Sequence, residues 1–157
     1  MKNYSIKKVE TKNEMKEFLK LFDYWHKKGL VGFVPIFILY RHKDKGELYL
    51  LKDTNKNKTI GIAWIIERKR PYNFYQVKTL ALSPDYHAKG LGEYFLRGLV
   101  DPLHKQGFDL ITSVVSGNEP AMNLYRKVGF KTYDTKTSKK GVITDEMVFP
   151  AGKGRVI

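Results

Sequence analysis

Cysteine is absent from the 157 residues of this chain. Without thiol groups the protein forms no structural disulfide, no thiolate metal site and no covalent acyl-cysteine intermediate. The length is nevertheless sufficient to bury a hydrophobic core without cross-links. Hydrophobic residues make up 42% of the chain and aromatic residues 13%, which excludes a disordered protein. We therefore expect one folded domain over residues 1–150, followed by a flexible tail at 151–157.

Long apolar runs are also lacking. The sequence has no stretch of about 18 apolar residues of the kind that spans a bilayer. Met1 to Ile6 does not resemble the apolar segment of a secretory leader. The sequence thus predicts a cytoplasmic protein without a membrane partner.

Acidic residues are scarce, since 16 Asp and Glu stand against 29 Lys and Arg, for a net charge of +13. Such a charge attracts polyanions, including nucleic acid, anionic lipid and phosphorylated cofactors. The lysines are spread along the whole chain, and the densest basic patch comprises Lys136, Lys139 and Lys140. This spread favours a solvated lysine-rich surface over a dedicated nucleic-acid site.

The hydrophobic pattern predicts a mixed α/β domain. Met15, Phe18, Leu19, Phe22 and Trp25 recur at helical spacing within a first helix over 11–28. Residues 31–40 are apolar and contain a proline, so that a second helix and an irregular segment both remain possible. The rest of the chain predicts strands at 47–52, 60–67, 74–82, 109–115, 130–133 and 142–149, and helices at 90–105 and 119–128.

The segment from Leu80 to Gly92 places a strand, a tight loop and a helix start in succession. The first amides of a helix lack intrahelical acceptors, so such a loop suits phosphate or pyrophosphate. Gly90 and Gly92 let the backbone approach an anion, and Lys89 adds a positive charge. Close packing of the loop is the alternative explanation of the two glycines. A dinucleotide fingerprint and a P-loop are both excluded by the spacing.

The same segment resembles the hallmark of the GNAT superfamily of N-acetyltransferases, Arg/Gln-x-x-Gly-x-Gly/Ala after a strand with a small apolar triplet. The triplet is Leu80-Ala81-Leu82, and the motif is matched by His87 to Gly92. Asn118 to Phe130 is similar to a second family pattern, Asn-x-x-Ala-x-x-x-Tyr-x-x-x-Gly-Phe. The resemblance implies one GNAT-like domain with a mostly antiparallel sheet of about six to seven strands, about four helices and a splayed central strand pair.

The resemblance also implies acetyl-CoA (coenzyme A) as co-substrate, without a metal. In the family the strand triplet pairs with the pantetheine arm and the loop amides hold the pyrophosphate. His87 departs from the usual Arg or Gln, which should weaken one side-chain contact. Asn118 either contacts the cofactor or caps the next helix. The implied cofactor-binding residues are Leu80, Ala81, Leu82, His87, Ala88, Lys89, Gly90, Leu91, Gly92 and Asn118.

The implied reaction is direct acetyl transfer to a primary amine of a small molecule or a peptide. Tyr125 aligns with the family tyrosine that protonates the departing thiolate, although a core tyrosine is the simpler structural interpretation. In many relatives a glutamate that acts as the general base stands where this chain has Lys78-Thr79. Glu67 is the best remaining carboxylate for the base, yet a solvated charge beside Arg68 is the more usual role for such a residue. A homodimer is possible.

Two other functions are compatible with the sequence. A coenzyme A-binding regulator without useful turnover is suggested by the missing base and by His87. A nucleic-acid-binding protein is suggested by charge alone, because no aromatic-basic motif of a known reader is present.

Overall fold

The computed structural model describes residues 3–28, 46–87 and 89–152. Residues 31–40, whose conformation the sequence left open, Ala88 and most of the expected tail lie outside these ranges. Within the described ranges no helix combines the length and the apolar character needed to cross a membrane. The elements in chain order are β1 (Tyr4–Lys8), α1 (Lys12–Lys27), β2 (Gly46–Asp53), β3 (Lys58–Arg68), β4 (Phe74–Leu82), a 3-10 helix (Pro84–Tyr86), α2 (Leu91–Lys105), β5 (Leu110–Val115), α3 (Glu119–Val128), β6 (Lys131–Thr137) and β7 (Ile143–Phe149).

The strands of the described residues form one 7-stranded sheet in the order β1-β2-β3-β4-β5-β7-β6. The pairs β1–β2, β2–β3, β5–β7 and β6–β7 are antiparallel. β4 and β5 are parallel, with a register that runs from Tyr75 opposite Leu110 to Val77 opposite Thr112. The predicted mixed α/β fold with a mostly antiparallel sheet is therefore confirmed.

Contacts divide the chain into two units, of which the first comprises Met1–Ile66 and Thr79–Leu91. In this unit α1 begins at a capping box, in which the Thr11 hydroxyl accepts from the Glu14 amide and the Glu14 carboxylate accepts from the Thr11 amide. The apolar face predicted for α1 is buried. Its core consists of Phe18, Phe22 and Trp25 of α1, Leu48 and Leu50 of β2, Ile62, Trp64 and Ile66 of β3, and Ala81 of β4.

The second unit comprises Glu67–Lys78 and Gly92–Ile157. Its helices α2 and α3 bury apolar residues, among them Phe95, Leu96 and Met122. An aromatic group marks the end of α3, because the Phe130 ring lies 5.1 Å from that of Tyr125 and 5.6 Å from that of Phe149. Packing of apolar helix faces thus explains why the predicted helices form here.

One strand was missed by the sequence prediction. β1 pairs along β2 from Tyr4 opposite Asp53 to Lys8 opposite Tyr49, at the edge of the sheet. Its sequence, YSIKK, holds two lysines and is at most half-buried, which leaves little apolar signal. β6 is likewise longer than predicted, since a fully exposed strand shows no hydrophobic alternation.

Gly129, which ends α3, tests how tightly the second unit is packed. Its φ is 129°, and a Cβ there would lie 2.6 Å from Cε1 of Phe149. We expect Gly129→Ala to lower the free energy of unfolding by about 1–3 kcal/mol, because it adds backbone strain and a clash with the ring. Urea denaturation measures the loss.

Gly141→Ala is the matched control for this substitution. Gly141 has a φ of 83°, but an added Cβ would meet no heavy atom within 4 Å. The control has the backbone strain without the clash, so it should lower the free energy of unfolding by less than Gly129→Ala does. Equal losses would show that packing against Phe149 does not matter.

Candidate functional site

The strand, loop and helix start predicted around residues 80–92 are present. β4 ends at Leu82, the 3-10 helix Pro84–Tyr86 follows, and α2 begins at Leu91. The Ser83 amide donates to the carbonyl oxygen of Ile60 on β3 at 2.7 Å, and the Tyr86 amide donates to that of Ser83 at 2.9 Å. The first amides of α2 have no intrahelical acceptor and lie at the positive end of its dipole. The segment therefore has the backbone geometry of an anion site.

The two glycines of the loop serve different purposes. Gly90 has a φ of 76°, in the left-handed region that side chains rarely adopt. Gly92 lies in the first turn of α2, where an added Cβ would come within 3.3 Å of Cδ2 of Leu124 on α3. Gly90 is thus required by the backbone conformation, and Gly92 fits the close-packing explanation.

The side chains of the motif fold back onto their own segment. Nε2 of His87 lies 2.9 Å from the carbonyl oxygen of Leu82, so the imidazole that replaces the usual Arg or Gln braces the loop. The Lys89 ammonium lies over the Tyr86 ring, 5.3 Å from its centroid. Leu80 and Leu82 are half-buried, while Ala81 belongs to the core of the first unit.

A buried hydrogen bond that sequence reasoning missed anchors this loop. The Tyr86 hydroxyl donates to Oδ2 of Asp53 at 2.7 Å. Oδ1 of Asp53 accepts from the amides of Asn55 and Lys56 in the turn after β2. The Tyr86 hydrogen bond lowers the pKa of Asp53, and the carboxylate in turn raises the pKa of Tyr86 to about 12. The turn between β2 and β3 therefore holds the loop in place.

Tyr125 lies on α3 and is 6% exposed. Burial raises the pKa of its phenol to about 12, while a hydrogen bond with the Thr112 hydroxyl acts in the opposite direction. Thr112, on β5, donates its own proton to the carbonyl oxygen of Val77 at 3.0 Å. The phenol is thus protonated at neutral pH, and its oxygen is positioned by β5.

The remaining candidates, Asn118 and Glu67, occupy more ordinary positions. Asn118 is the N-cap of α3, and its Oδ1 accepts from the Ala121 amide at 3.4 Å. The Glu67 side chain, at the end of β3, is 38% exposed and lies 3.8 Å from the Lys69 ammonium. It also accepts from the Tyr75 hydroxyl at 3.2 Å. Asn118 therefore caps a helix, and Glu67 belongs to a surface ion pair.

Residues 9–130 match the sequence profile of the Acetyltransferase (GNAT) family. The chain belongs to this family. The match includes the loop of residues 80–92 and extends through α3 to Phe130, so both motifs of the family lie inside it.

A relative of known name matches part of the chain. The N-alpha-acetyltransferase RimI of Mycobacterium tuberculosis is 35% identical over 74 residues, which cover 46% of this chain and 45% of the relative. The match thus spans less than half the length of that protein.

Solved structures share the fold at low identity. The ribosomal-protein-S18-alanine N-acetyltransferase of Escherichia coli superposes with a TM-score of 0.69 at 20% identity, covering 98% of this chain and 99% of that one. A GNAT family acetyltransferase of Elizabethkingia anophelis with acetyl-CoA bound gives 0.69 at 16% identity, covering 96% and 99%. At these identities the likeness establishes the fold.

Tyr86→Phe tests the anchor of the loop. It removes the hydroxyl that donates to Asp53, so we expect a lower urea midpoint at neutral pH. Because the pKa of Asp53 is depressed in the folded state, this stabilisation is present above the ordinary pKa of Asp and is lost as the pH falls through the folded value. The gap between wild type and variant should therefore shrink as the pH falls below the ordinary pKa of Asp, about 3.9.

Tyr133→Phe is the control, since Tyr133 is 51% exposed. It should leave the midpoint close to that of wild type. A gap between wild type and Tyr86→Phe that stays constant with pH would argue against the Asp53 contact as its source.

Proposed function

We propose that this chain transfers an acetyl group from acetyl-CoA directly to a primary amine of a peptide or small molecule. The observation that carries the proposal is the loop between β4 and α2, with its left-handed Gly90 at a helix start, inside a GNAT family match over residues 9–130. Structural neighbours with acetyl-CoA or coenzyme A bound support the same co-substrate.

The loop fits the pyrophosphate of coenzyme A by its backbone. A side chain at Gly90 would be strained at a φ of 76°, and the α2 amides that follow favour a negative charge. We assign the amides of residues 88–92 to the pyrophosphate and the backbone of Leu80 to Leu82 to the pantetheine arm. Lys89 adds a cation to the exposed side of the loop.

Tyr125 is our proposed general acid. Bound acetyl-CoA supplies an activated thioester carbonyl, and the departing thiolate needs a proton. A phenol with a pKa of about 12 holds its proton throughout the physiological range, and the Thr112 hydroxyl fixes its position. For the amine proton the sequence offered Glu67 or a chain of water molecules as the acceptor.

The acceptor is, in our proposal, an amine next to neutral or acidic groups. The net charge of +13 repels polyamines and attracts acidic partners. The relatives that are named for alanine or N-alpha acetylation favour the α-amine of a peptide. Cytoplasmic location and a homodimer stay predictions from the sequence.

Acetyl-CoA should raise the melting temperature of the protein. A ligand at 100 times its dissociation constant stabilises the native state by about 2.7 kcal/mol. We expect the rise with acetyl-CoA and coenzyme A but not with adenosine, in a thermal-shift titration. Gly90→Val should abolish the rise. If neither acetyl-CoA nor coenzyme A raised the melting temperature, the proposed function would be refuted.

Tyr125→Phe should lower kcat by about ten-fold or more, because it removes the proton donated to the leaving thiolate. Acetyl-CoA should still raise the melting temperature. Tyr24→Phe, a change at a 53% exposed tyrosine, is the control and should keep the wild-type rate. A wild-type rate in Tyr125→Phe would exclude the phenol as the acid. The rates are measured by mass spectrometry of an alanine-starting acidic peptide.

A further inference from the structure

Glu146 on β7 is a buried carboxylate for which the fold offers no obvious purpose. It is 6% exposed. Among the described residues, the other buried acidic side chains satisfy backbone amides: Glu14 closes the capping box of α1, Asp53 holds the turn after β2, and Asp109 accepts from the Ala151 amide. Burial of a carboxylate is costly unless hydrogen bonds or a countercharge compensate it.

Glu146 is held in place by side chains. Its Oε1 accepts from the Ser113 hydroxyl at 2.8 Å, and its Oε2 accepts from the Thr144 hydroxyl at 3.0 Å. The Lys136 ammonium lies 3.6 Å from Oε1, with 63% of the lysine side chain exposed. Two hydroxyl donors therefore fix the orientation of the carboxylate, and its cationic neighbour is largely exposed to solvent, where an ion pair contributes little.

The register of the sheet relates Glu146 to the Tyr125 phenol. Ser113 of β5 is opposite Glu146, and Thr112, one residue earlier, is opposite Met147. Successive side chains of a strand point to opposite faces, so Thr112 and Ser113 point to different faces of β5. The hydroxyl that contacts Tyr125 and the hydroxyl that contacts Glu146 thus belong to consecutive residues.

Among the described residues, exposed side chains lie beside Glu146 on the same face of the sheet. Ser113 is exposed, and Val115, two residues further along the same face, is 53% exposed. Tyr133 of β6 is 51% exposed; partial burial raises the pKa of its phenol, and the Glu146 charge adds to the rise. Glu146 is therefore a buried carboxylate with exposed side chains beside it.

We infer that Glu146, rather than Glu67, accepts the proton of the acceptor amine, directly or through one water molecule. This inference rests on the proposed function. The amine nitrogen forms a bond to the acetyl carbon and loses a proton to Glu146, while the carbon–sulfur bond breaks and the sulfur takes the Tyr125 proton. Exchange with solvent restores both residues. Glu67 is the poorer candidate because its side chain is 38% exposed and lies beside Lys69.

Glu146→Gln tests this inference, because glutamine keeps the size and the hydroxyl-accepting oxygen of the side chain. We expect kcat for the alanine-starting acidic peptide to fall by about 100-fold or more, while the KM for acetyl-CoA changes by less than about two-fold. Among the described residues, Lys136, Tyr133, Asp134 and Asp145 lie near Glu146, and all four are retained in this variant.

Asp134→Asn is the matched control, since Asp134 is exposed and lies opposite Glu146 in the β6–β7 register. It removes the same charge nearby and should keep the wild-type kcat and the wild-type KM for acetyl-CoA. A wild-type rate in Glu146→Gln, or a loss of activity confined to Glu67→Gln, would overturn the inference. The proposed function would still stand if the wild-type protein acetylated the peptide. A wild-type protein that neither binds acetyl-CoA nor acetylates the peptide would overturn both.

Discussion

The antiparallel pairing of β5 with β7 is the constraint on which the proposed chemistry depends. It sets Thr112 opposite Met147 and Ser113 opposite Glu146. A slip of one residue would exchange the two faces of the strand and separate both hydroxyls from their partners. The alternation along one short strand thus determines where the Tyr125 phenol and the Glu146 carboxylate are held.

The loop between β4 and α2 depends on a different device. Its conformation requires glycine at position 90, and its position depends on the Tyr86 hydroxyl, which donates to Asp53 at 2.7 Å. Asp53 in turn organises the turn between β2 and β3. A loop that binds an anion through backbone amides gains from such an anchor, because preorganised donors need no reordering when the ligand arrives.

Local patterns were sufficient for most of the fold. The spacing of Phe18, Phe22 and Trp25 predicted α1, and the bounds of β4 and α3 agree with the sequence prediction. β1 was missed, and β6 was predicted too short, because exposed edge strands rich in Lys and Thr carry no apolar alternation.

For the candidate site, the sequence by itself determined the loop motif, the family resemblance and the choice of Tyr125. Each of these is a pattern of neighbouring residues, and local spacing encodes it. Only the tertiary structure revealed the Tyr86–Asp53 anchor and singled out Glu146. Residues 33 positions apart in each case, Asp53 with Tyr86 and Ser113 with Glu146, meet through sheet register and loop packing. Such contacts leave no periodic signal in the chain.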